Sequence, residues 1–528
     1  MKRPEMLARV EDGRPWDLLV IGGGATGLGI AVDAAARGYA VLLVERDDFA
    51  QGTSSRSTKL VHGGVRYLQQ GNLGLVREAL EERGILRRNA PHLVRDLAFV
   101  VPSYAWWESP FYGVGLKFYD FLAGHHGFGP SRHLSGAEVA AAIPTIATAG
   151  LHGGTLYYDG QFDDARLAIH LARTAADEGA TLVNYCEARA LTKDGARRVV
   201  GAILLDRESG REQAVAARAV INATGPFCDT LRRLDDPDAD SIIAPSQGVH
   251  LVLDRGFLPG NSALMVPHTD DGRVLFAIPW HHCVLVGTTD TPVPAVAREP
   301  RASGEEIDFL LDNLNRYLSR PASRADVRSV FAGIRPLVRG TGHAATTSLS
   351  RDHSLFRDPR SGLITVTGGK WTTYRRMAQD TVNLAAGAAG LIPRPCITRA
   401  LPIHGSHPAA EHFGTLAHYG ADAPAIVELA GRDPALGERL HPRLPAIAAE
   451  VVWACRHEMA RTVEDVLGRR TRSLFFDAEA AAAAAPAVAR LMAAELGRDS
   501  EWEQVQSRTF QSLAALYRAD SNAATGRP

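Results

Sequence analysis

One stretch near the N-terminus constrains the fold more than any other part of the chain. Leu18 to Ile21 form a short apolar run, which is typical of a strand buried on both faces of a parallel sheet. Gly22, Gly24 and Gly27 follow directly, in the spacing G-x-G-x-x-G. These glycines permit a tight turn, let backbone approach a pyrophosphate, and let the following helix pack closely on the strand. The stretch predicts a dinucleotide-binding βαβ unit.

An acidic residue at the end of the next apolar run supports this prediction. Glu45 lies about twenty residues after the glycines, where a carboxylate can accept a hydrogen bond from a ribose hydroxyl. The glycine spacing alone does not distinguish FAD from NAD. A fingerprint this close to the start of a long chain leaves a large downstream body for substrate, and that layout is typical of flavin enzymes.

Composition narrows the class of protein. The 528 residues are enough for two or three domains, and 45% hydrophobic with 22% charged residues is ordinary for a soluble globular protein. A formal net charge of -1 argues against binding of nucleic acid by bulk positive charge. We found no apolar run of membrane-spanning length, no signal-peptide core, no C-x-x-C pair among the five cysteines and no metal-ligand spacing. A cytoplasmic protein without a bound metal is expected.

A hydroxyl-rich segment follows the second strand. Residues 53–59 read Thr-Ser-Ser-Arg-Ser-Thr-Lys, and Gly63, Gly64 and Arg66 come soon after. Hydroxyls and exposed N–H groups suit the phosphates and sugar-like chain of a cofactor, and a glycine pair suits backbone lying flat against a ring. A capped loop that runs into a helix would explain the same residues, since Ser and Thr favour helix N-caps.

The fingerprint and this segment together resemble the FAD-dependent glycerol-3-phosphate dehydrogenases, which pass electrons to membrane quinone. The resemblance extends over most of the chain from residue 17 onward. Further matching motifs are Glu78–Arg83, Ala90–Leu93, Asp163–Leu167, Asn222–Pro226, Ile278–Trp280, Gly287–Asp290, Gly333–Leu337 and Gly368–Arg375.

The resemblance implies an α/β fold with three parts. The first is a Rossmann-like FAD-binding domain of the glutathione-reductase and amino-acid-oxidase type. An antiparallel β-sheet substrate domain is interleaved with it, and an α-helical domain follows. The predicted boundaries are an N-terminal extension (1–16), the discontinuous FAD-binding domain (17–90, 150–240, 330–395), the substrate domain (91–149, 241–329) and the helical C-terminal domain (400–520).

It also implies the cofactor, the partners and the site. FAD would be the cofactor, and sn-glycerol 3-phosphate would be oxidised to dihydroxyacetone phosphate. The protein would contact the inner face of the cell membrane peripherally, and a homodimer is allowed. The predicted cofactor-binding residues are Gly22, Gly24, Gly27, Glu45, Thr53, Ser54, Ser57, Lys59, Gly63, Gly64, Gly225, Gly369 and Thr372.

A dianionic substrate phosphate requires more than one cation, preferably Arg with its planar fork. By the resemblance Arg66, Arg335 and Lys370 surround the substrate, with Tyr67 and His250 lining the pocket, and Arg335 is the first choice for the phosphate. The general base is not identified by the sequence. His250 has a suitable intrinsic pKa, but a cationic pocket would depress it.

Three other functions remain open. The first is an oxidase of the same fold that transfers electrons to oxygen. The second is a related enzyme acting on a 2-hydroxy acid or an N-methyl amino acid, although the paired cations favour a phosphate. The third is a non-enzymatic flavoprotein, whose mark would be bound FAD that no small alcohol reduces.

Two further segments have alternative interpretations. Phe111, Val114, Phe118, Phe121 and Leu122 would share one helix face, which favours packing on the substrate domain over resting on a bilayer. The basic run 467–472 could touch anionic lipid, but a solvated helix end is the preferred interpretation.

Overall fold

The computed structural model describes residues 1–64, 73–124, 127–339 and 353–520, which form two sheets and a helical C-terminal part. The strands are β1 Trp16–Ile21, β2 Val41–Val44, β3 Leu60–Val61, β4 Val94–Ser103, β5 Arg132–Ser135, β6 Gly153–Phe162, β7 Thr181–Val183, β8 Cys186–Lys193, β9 Val199–Asp206, β10 Glu212–Asn222, β11 Ile243–Asp254, β12 Ala263–Val266, β13 Leu275–Trp280, β14 Cys283–Gly287, β15 Thr291–Pro292, β16 Val327–Val338, β17 His353–Arg357 and β18 Ile364–Gly368.

The α-helices connect and cover these strands. They are α1 Arg3–Glu11, α2 Ala25–Ala36, α3 Leu73–Asn89, α4 Glu108–Ala123, α5 Gly136–Ala142, α6 Asp164–Asp177, α7 Cys228–Asp235, α8 Gly304–Asn315, α9 Tyr374–Ala388, α10 Ala423–Arg432, α11 Ala448–His457, α12 Ser473–Phe476, α13 Ala478–Leu496 and α14 Ser500–Ala515. No helix in the described part of the chain is both long enough and apolar enough to cross a membrane.

The first sheet carries the predicted dinucleotide unit. Its strand order is β17-β18-β10-β1-β2-β7, with β8 and β9 attached to β10 as a hairpin. β1 lies between β2 and β10 and is parallel to both, and Leu19 pairs with Leu42 on one side and Val220 on the other. These residues are buried, as expected for a central parallel strand covered on both faces. The Rossmann-like prediction is confirmed.

The second sheet has the order β15-β11-β14-β13-β12-β4-β6-β3, with β16 attached to β11 and β5 to β6. Nearly all of its pairings are antiparallel, and β12 with β4 is the parallel exception. The antiparallel substrate sheet that the resemblance implies is therefore confirmed.

The path of the chain differs from the predicted domain boundaries. β3, β6 and β16 lie in segments given to the FAD-binding domain, yet all three belong to the second sheet. β6 pairs with β4 from Gly153 to Phe162, and β16 pairs with most of β11. The chain crosses between the two sheets more often than those boundaries allow.

The C-terminal helices pack on the second sheet. Phe475, Phe476 and Val488 share one apolar core with Trp280 and Phe331 of the sheet. The helical character predicted for this part is confirmed. The solvated helix end predicted for 467–472 is wrong, because Arg469, Arg470 and Arg472 are buried against acidic partners.

Helix α4 presents only part of the predicted face to the protein: Leu122 packs against the protein, and the side chains of Phe111 and Val114 lie outside the described residues. Leu116, Tyr119 and Ala123 are buried, whereas Phe118 is 41% exposed and Phe121 is 79% exposed. Because Tyr119 and Ala123 pack on α3, the outward face of α4 is left with large aromatic side chains. The packed-face interpretation is therefore wrong for Phe118 and Phe121.

Candidate active site

A cleft of about 760 Å³ collects most of the predicted site residues. Its walls come from the carboxyl ends of β1 and β2, from the loop after β2, from β11 and β16, and from the turn after β18. Ligands of open α/β sheets bind at the carboxyl ends of the strands, so the first sheet supplies the expected edge.

The three glycines of the fingerprint form a cradle that side chains would fill. Gly22 has φ +114°, and a Cβ there would lie 2.5 Å from the carbonyl oxygen of Ala223. A Cβ on Gly27 would overlap the carbonyl oxygen of Gly22, so this position keeps α2 close to β1. Gly24 lines the cleft at the start of α2, where the N–H groups of the first helical turn and the helix dipole attract phosphate. These features fit the pyrophosphate of FAD.

Glu45 lines the same end of the cleft. Its carboxylate accepts hydrogen bonds from the backbone N–H of Gly23 at 2.6 Å and of Asp47 at 2.9 Å. Burial raises the pKa of Glu45 to about 7, and these two bonds oppose the rise. The carboxylate is placed where an adenosine ribose would follow a pyrophosphate held at α2.

The hydroxyl-rich segment lies along the floor of the cleft. Thr53 donates to the carbonyl of Ile334 at 2.6 Å, and Ser54 accepts from the N–H of Ala25 at 2.9 Å. Ser57 also lines the cleft and donates to Asp164 at 2.7 Å. Thr53, Ser54 and Ser57 therefore form hydrogen bonds with other parts of the protein. Their contacts with a cofactor stay predictions.

Lys59 lies behind the cleft wall and does not reach into it. Its ammonium group is fully buried, lies 2.7 Å from both carboxylate oxygens of Asp164, and donates to the carbonyl of Ser55 at 2.6 Å. The Lys59 side chain therefore stabilises the hydroxyl-rich segment from the side away from the cleft. The direct cofactor contact predicted for it has no support in this geometry.

The remaining predicted cofactor residues are distributed around the cleft. Gly64, Gly225, Gly369 and Thr372 line the cleft. Gly63 lies just outside, and its N–H donates to the hydroxyl of Tyr119 at 2.9 Å. After β18 the chain makes a 3-10 turn and enters α9, and residues of this turn line the cleft.

Arg335 extends from β16 into the cleft. Its guanidinium lies 3.0 Å from Asp290 and donates to Thr288 Oγ1 at 3.1 Å and to the carbonyl of Thr289 at 3.0 Å. The Nη2 group lies against Gly248, where a Cβ would overlap it. Gly248 thus leaves space for the guanidinium, and Asp290, Thr288 and Thr289 accept the hydrogen bonds that fix its orientation.

His250 lies in the middle of β11 and faces the same cleft. Its Nε2 is 2.9 Å from Thr58 Oγ1, and its ring stacks on Phe331 with 4.9 Å between the ring centroids. The Nδ1 atom is buried and has no hydrogen-bond partner among the described residues. Burial first, and then the charges of Lys59 and Arg335, hold the pKa of His250 well below its usual value, so the ring is neutral near pH 7.

Lys370 also lines the cleft, at the turn that begins α9. Arg66 and Tyr67 lie outside the described residues, so their predicted roles stay predictions. Two residues of the site were not singled out from the sequence for a role. Asp290, which pairs with Arg335, lies in the matching motif Gly287–Asp290, whereas no sequence signal marks Arg273, which also lines the cleft.

Comparison with known families gives two matches that together cover nearly the whole chain. Residues 17–375 match the FAD dependent oxidoreductase family. Residues 364–503 match the family described as the C-terminal domain of alpha-glycerophosphate oxidase.

Full-length relatives are similar over almost the same span. The mitochondrial glycerol-3-phosphate dehydrogenase of Homo sapiens is 41% identical, over 99% of this chain and 77% of its own length. The mitochondrial glycerol-3-phosphate dehydrogenase of Arabidopsis thaliana is 40% identical, over 96% of this chain and 87% of its own length.

Solved structures agree with the sequence comparisons. Glycerol-3-phosphate dehydrogenase from Bacillus halodurans, complexed with FAD, superposes with a TM-score of 0.80 at 30% identity and covers 99% of both chains. L-alpha-glycerophosphate oxidase from Mycoplasma pneumoniae shares the fold, with a TM-score of 0.55 at 18% identity over 73% of this chain and 100% of its own.

Proposed function

Because the chain belongs to the family of FAD-dependent glycerol-3-phosphate dehydrogenases, we propose that its cleft oxidises sn-glycerol 3-phosphate to dihydroxyacetone phosphate and that the electrons pass on to membrane quinone. The observation that carries the substrate assignment is the placement of Arg335 and His250 in the cleft that also contains the glycine cradle. Bound FAD supplies the acceptor for the hydride that leaves C2 of the substrate.

The substrate phosphate binds at the cationic end of the cleft. Arg335 is fixed by Asp290 and by Thr288 and Thr289, so binding costs little of its side-chain freedom. Lys370 lines the same cleft and adds a second positive charge, as a dianion requires. By family resemblance Arg66 and Tyr67 complete this group.

His250 accepts the proton of the C2 hydroxyl. The neutral ring carries a lone pair on one nitrogen, and the contacts with Thr58 and Phe331 hold the ring in one orientation. A neutral imidazole with a low pKa is a weak base. The nearby cations offset this, because they also favour the alkoxide form of the bound alcohol.

Contact with a membrane surface belongs to the same proposal. Trp106 and Trp107, just before α4, are 80% and 48% exposed, and Phe118 and Phe121 extend this aromatic surface along the helix. Exposed large aromatic side chains in one region favour burial in a lipid interface. The cytoplasmic location on the inner face of the cell membrane and the homodimer stay predictions.

An anaerobic spectral titration tests the substrate assignment. Glycerol 3-phosphate should bleach the flavin band, and glycerol in a separate cuvette should not, because glycerol lacks the group that Arg335 and Lys370 would hold. Bleaching by both compounds, or by neither, would contradict the assignment of these cations to a substrate phosphate.

Reoxidation of the reduced enzyme tests the electron acceptor. A soluble quinone should restore the flavin band much faster than dissolved oxygen does. Rapid recovery with oxygen alone would identify an oxidase and overturn the quinone proposal, while leaving the substrate assignment intact.

A further inference from the structure

The loop after β2 carries much of the adenosine end of the cleft. We refer to residues 45–51 as the ribose loop. Glu45, Arg46, Asp47, Ala50 and Gln51 line the cleft, so the loop contributes several successive contacts to whatever binds there. Any device that fixes this loop also fixes the position of Glu45.

Asp48 faces the other way and is fully buried. Its carboxylate lies 2.6 Å from Nε of Arg469 and 3.0 Å from Nη2 of Arg470, and Nη1 of Arg470 contacts it as well. Asn184 also donates to it, at 3.2 Å. The guanidinium groups of Arg469 and Arg470 therefore hold the ribose loop on its side away from the cleft.

Both arginines come from the C-terminal part of the chain, from a π-helical segment that spans Asp465–Arg470. π-helical turns are uncommon and are often found at functional sites. Arg469 is held by Glu464 at 2.8 Å and Asp465 at 2.7 Å, and Arg470 donates to the carbonyl of Glu458 at 2.6 Å. Both guanidinium groups are therefore also held by partners other than Asp48.

We infer that Arg469 and Arg470 are positioning residues for FAD. They hold Asp48 so that Glu45, three residues earlier, stays directed at the ribose, and the C-terminal part thereby controls how tightly the cofactor is retained. The inference rests on FAD as the cofactor and on Glu45 as its ribose contact. It does not depend on the substrate or on the electron acceptor.

A purely structural connection between the two parts of the chain would also explain these ion pairs. The structure contains a matched control for that explanation. Arg173 on α6 and Asp422 form a largely buried ion pair that joins the same two parts of the chain, and neither residue lines the cleft or contacts Arg470. Weakening either pair should lower the melting temperature, but only the Asp48 pair acts on the ribose loop.

The test compares Arg470→Lys with Arg173→Lys. Holoenzyme of each variant is stripped of FAD, the apoprotein is titrated with FAD by flavin fluorescence, and FAD release is followed by dilution. We expect Arg470→Lys to raise the Kd for FAD at least about tenfold, as a loss of one well-placed contact would. Excess FAD should restore its flavin spectrum, and Arg173→Lys should retain the wild-type Kd even though its melting temperature falls.

Two results would overturn the inference. One is a wild-type Kd in Arg470→Lys, and the other is an equal rise in both variants, which would mark a general loss of packing. If Arg470→Lys does not fold, Asp48→Asn gives the same comparison, because it removes the charge that the arginines hold and keeps the shape of the side chain. If wild-type protein does not bind FAD at all, the cofactor assignment fails, and the inference fails with it because it rests on that assignment.

Discussion

His250 and Arg335 reach the same cleft from paired strands, and each side chain lies over a glycine of a neighbouring strand. Gly287 on β14 lies beneath the imidazole, and Gly248 on β11 lies beneath the guanidinium. A Cβ at either glycine would overlap the side chain above it. The positions of His250 and Arg335 therefore require glycine at residues 287 and 248.

This relationship predicts different kinetic effects for two similar substitutions. Gly287→Ala displaces His250 and should lower the rate of flavin reduction at saturating substrate. Gly248→Ala displaces Arg335 and should mainly raise KM for glycerol 3-phosphate. Stopped-flow reduction at a series of substrate concentrations separates the two effects, and identical profiles for both variants would contradict distinct roles for the two side chains.

Removal of the Arg335 side chain should weaken substrate binding without loss of FAD. Arg335→Ala should raise KM by roughly thirtyfold to a hundredfold, because a hydrogen bond to a charged group contributes about 2–3 kcal/mol. The variant also deprives the buried Asp290 of a cation at 3.0 Å, and the negative charge would then repel a phosphate. Arg328→Ala is a matched control, since Arg328 lies on the same strand, pairs with Asp254 and does not line the cleft. An unchanged KM in Arg335→Ala would exclude Arg335 from the phosphate site.

Gly24→Val should yield protein without flavin. A side chain at this position would enter the space where the pyrophosphate meets the start of α2, and its Cβ would already lie 3.0 Å from Ser54 Oγ. The ratio of flavin to protein absorbance measures the loss. Gly74→Ala is the control, because a Cβ at Gly74 meets nothing within 4 Å. A yellow, fully loaded Gly24→Val protein would show that the fingerprint does not bind the cofactor.

FAD affinity should increase with pH around neutrality. In the free protein burial raises the pKa of Glu45 to about 7, so the carboxyl is mostly protonated at pH 6 and mostly ionised at pH 8. A ribose hydroxyl that donates to this group favours the ionised form, so FAD binding should release a proton and the Kd should fall by about tenfold from pH 6 to pH 8. Fluorescence titrations at several pH values measure the change. Glu45→Gln should show a flat profile, and an equally steep profile in that variant would assign the effect to another group.

Charge on the aromatic surface around α4 should reduce binding to lipid vesicles. Burial of one large apolar side chain contributes about 1.5–3 kcal/mol, so Phe121→Glu should lower the partition coefficient by at least about tenfold. Cosedimentation with vesicles gives the coefficient, and Val505→Glu is the control, because Val505 is 43% exposed on α14, away from this surface. Equal loss in both variants would point to added charge in general, and no loss in Phe121→Glu would exclude this part of α4 from the contact.

Sequence patterns predicted the parts of the structure that depend on residues close together in the chain. The strand, glycine turn and helix around Gly24 are encoded within a few residues, so their form follows from the sequence alone. The alternating runs that form β11, β13 and β14 predict antiparallel pairing for the same reason.

Long-range partners could not be predicted in this way. Lys59 is next to hydroxyl residues in the sequence, but its partner Asp164 is 105 positions away and lies behind the cleft. Arg469 and Arg470 form a basic run that is typical of a solvated surface, and their partner Asp48 lies more than 400 positions earlier. On α4 the aromatic residues have helical spacing, but spacing does not tell which face another helix covers. In each case the deciding information is which distant segment packs opposite.

The ion pairs between the ribose loop and Arg469 and Arg470 affect when a newly made chain can bind its cofactor. The glycine fingerprint leaves the ribosome early, whereas the two arginines that hold Asp48 are made more than 400 residues later. At translation rates of about 5–20 residues per second this interval is roughly 20 to 85 s. Until then the nascent chain has the glycine cradle without the two arginines, so if they position the ribose contact as inferred, tight loading of FAD follows their synthesis.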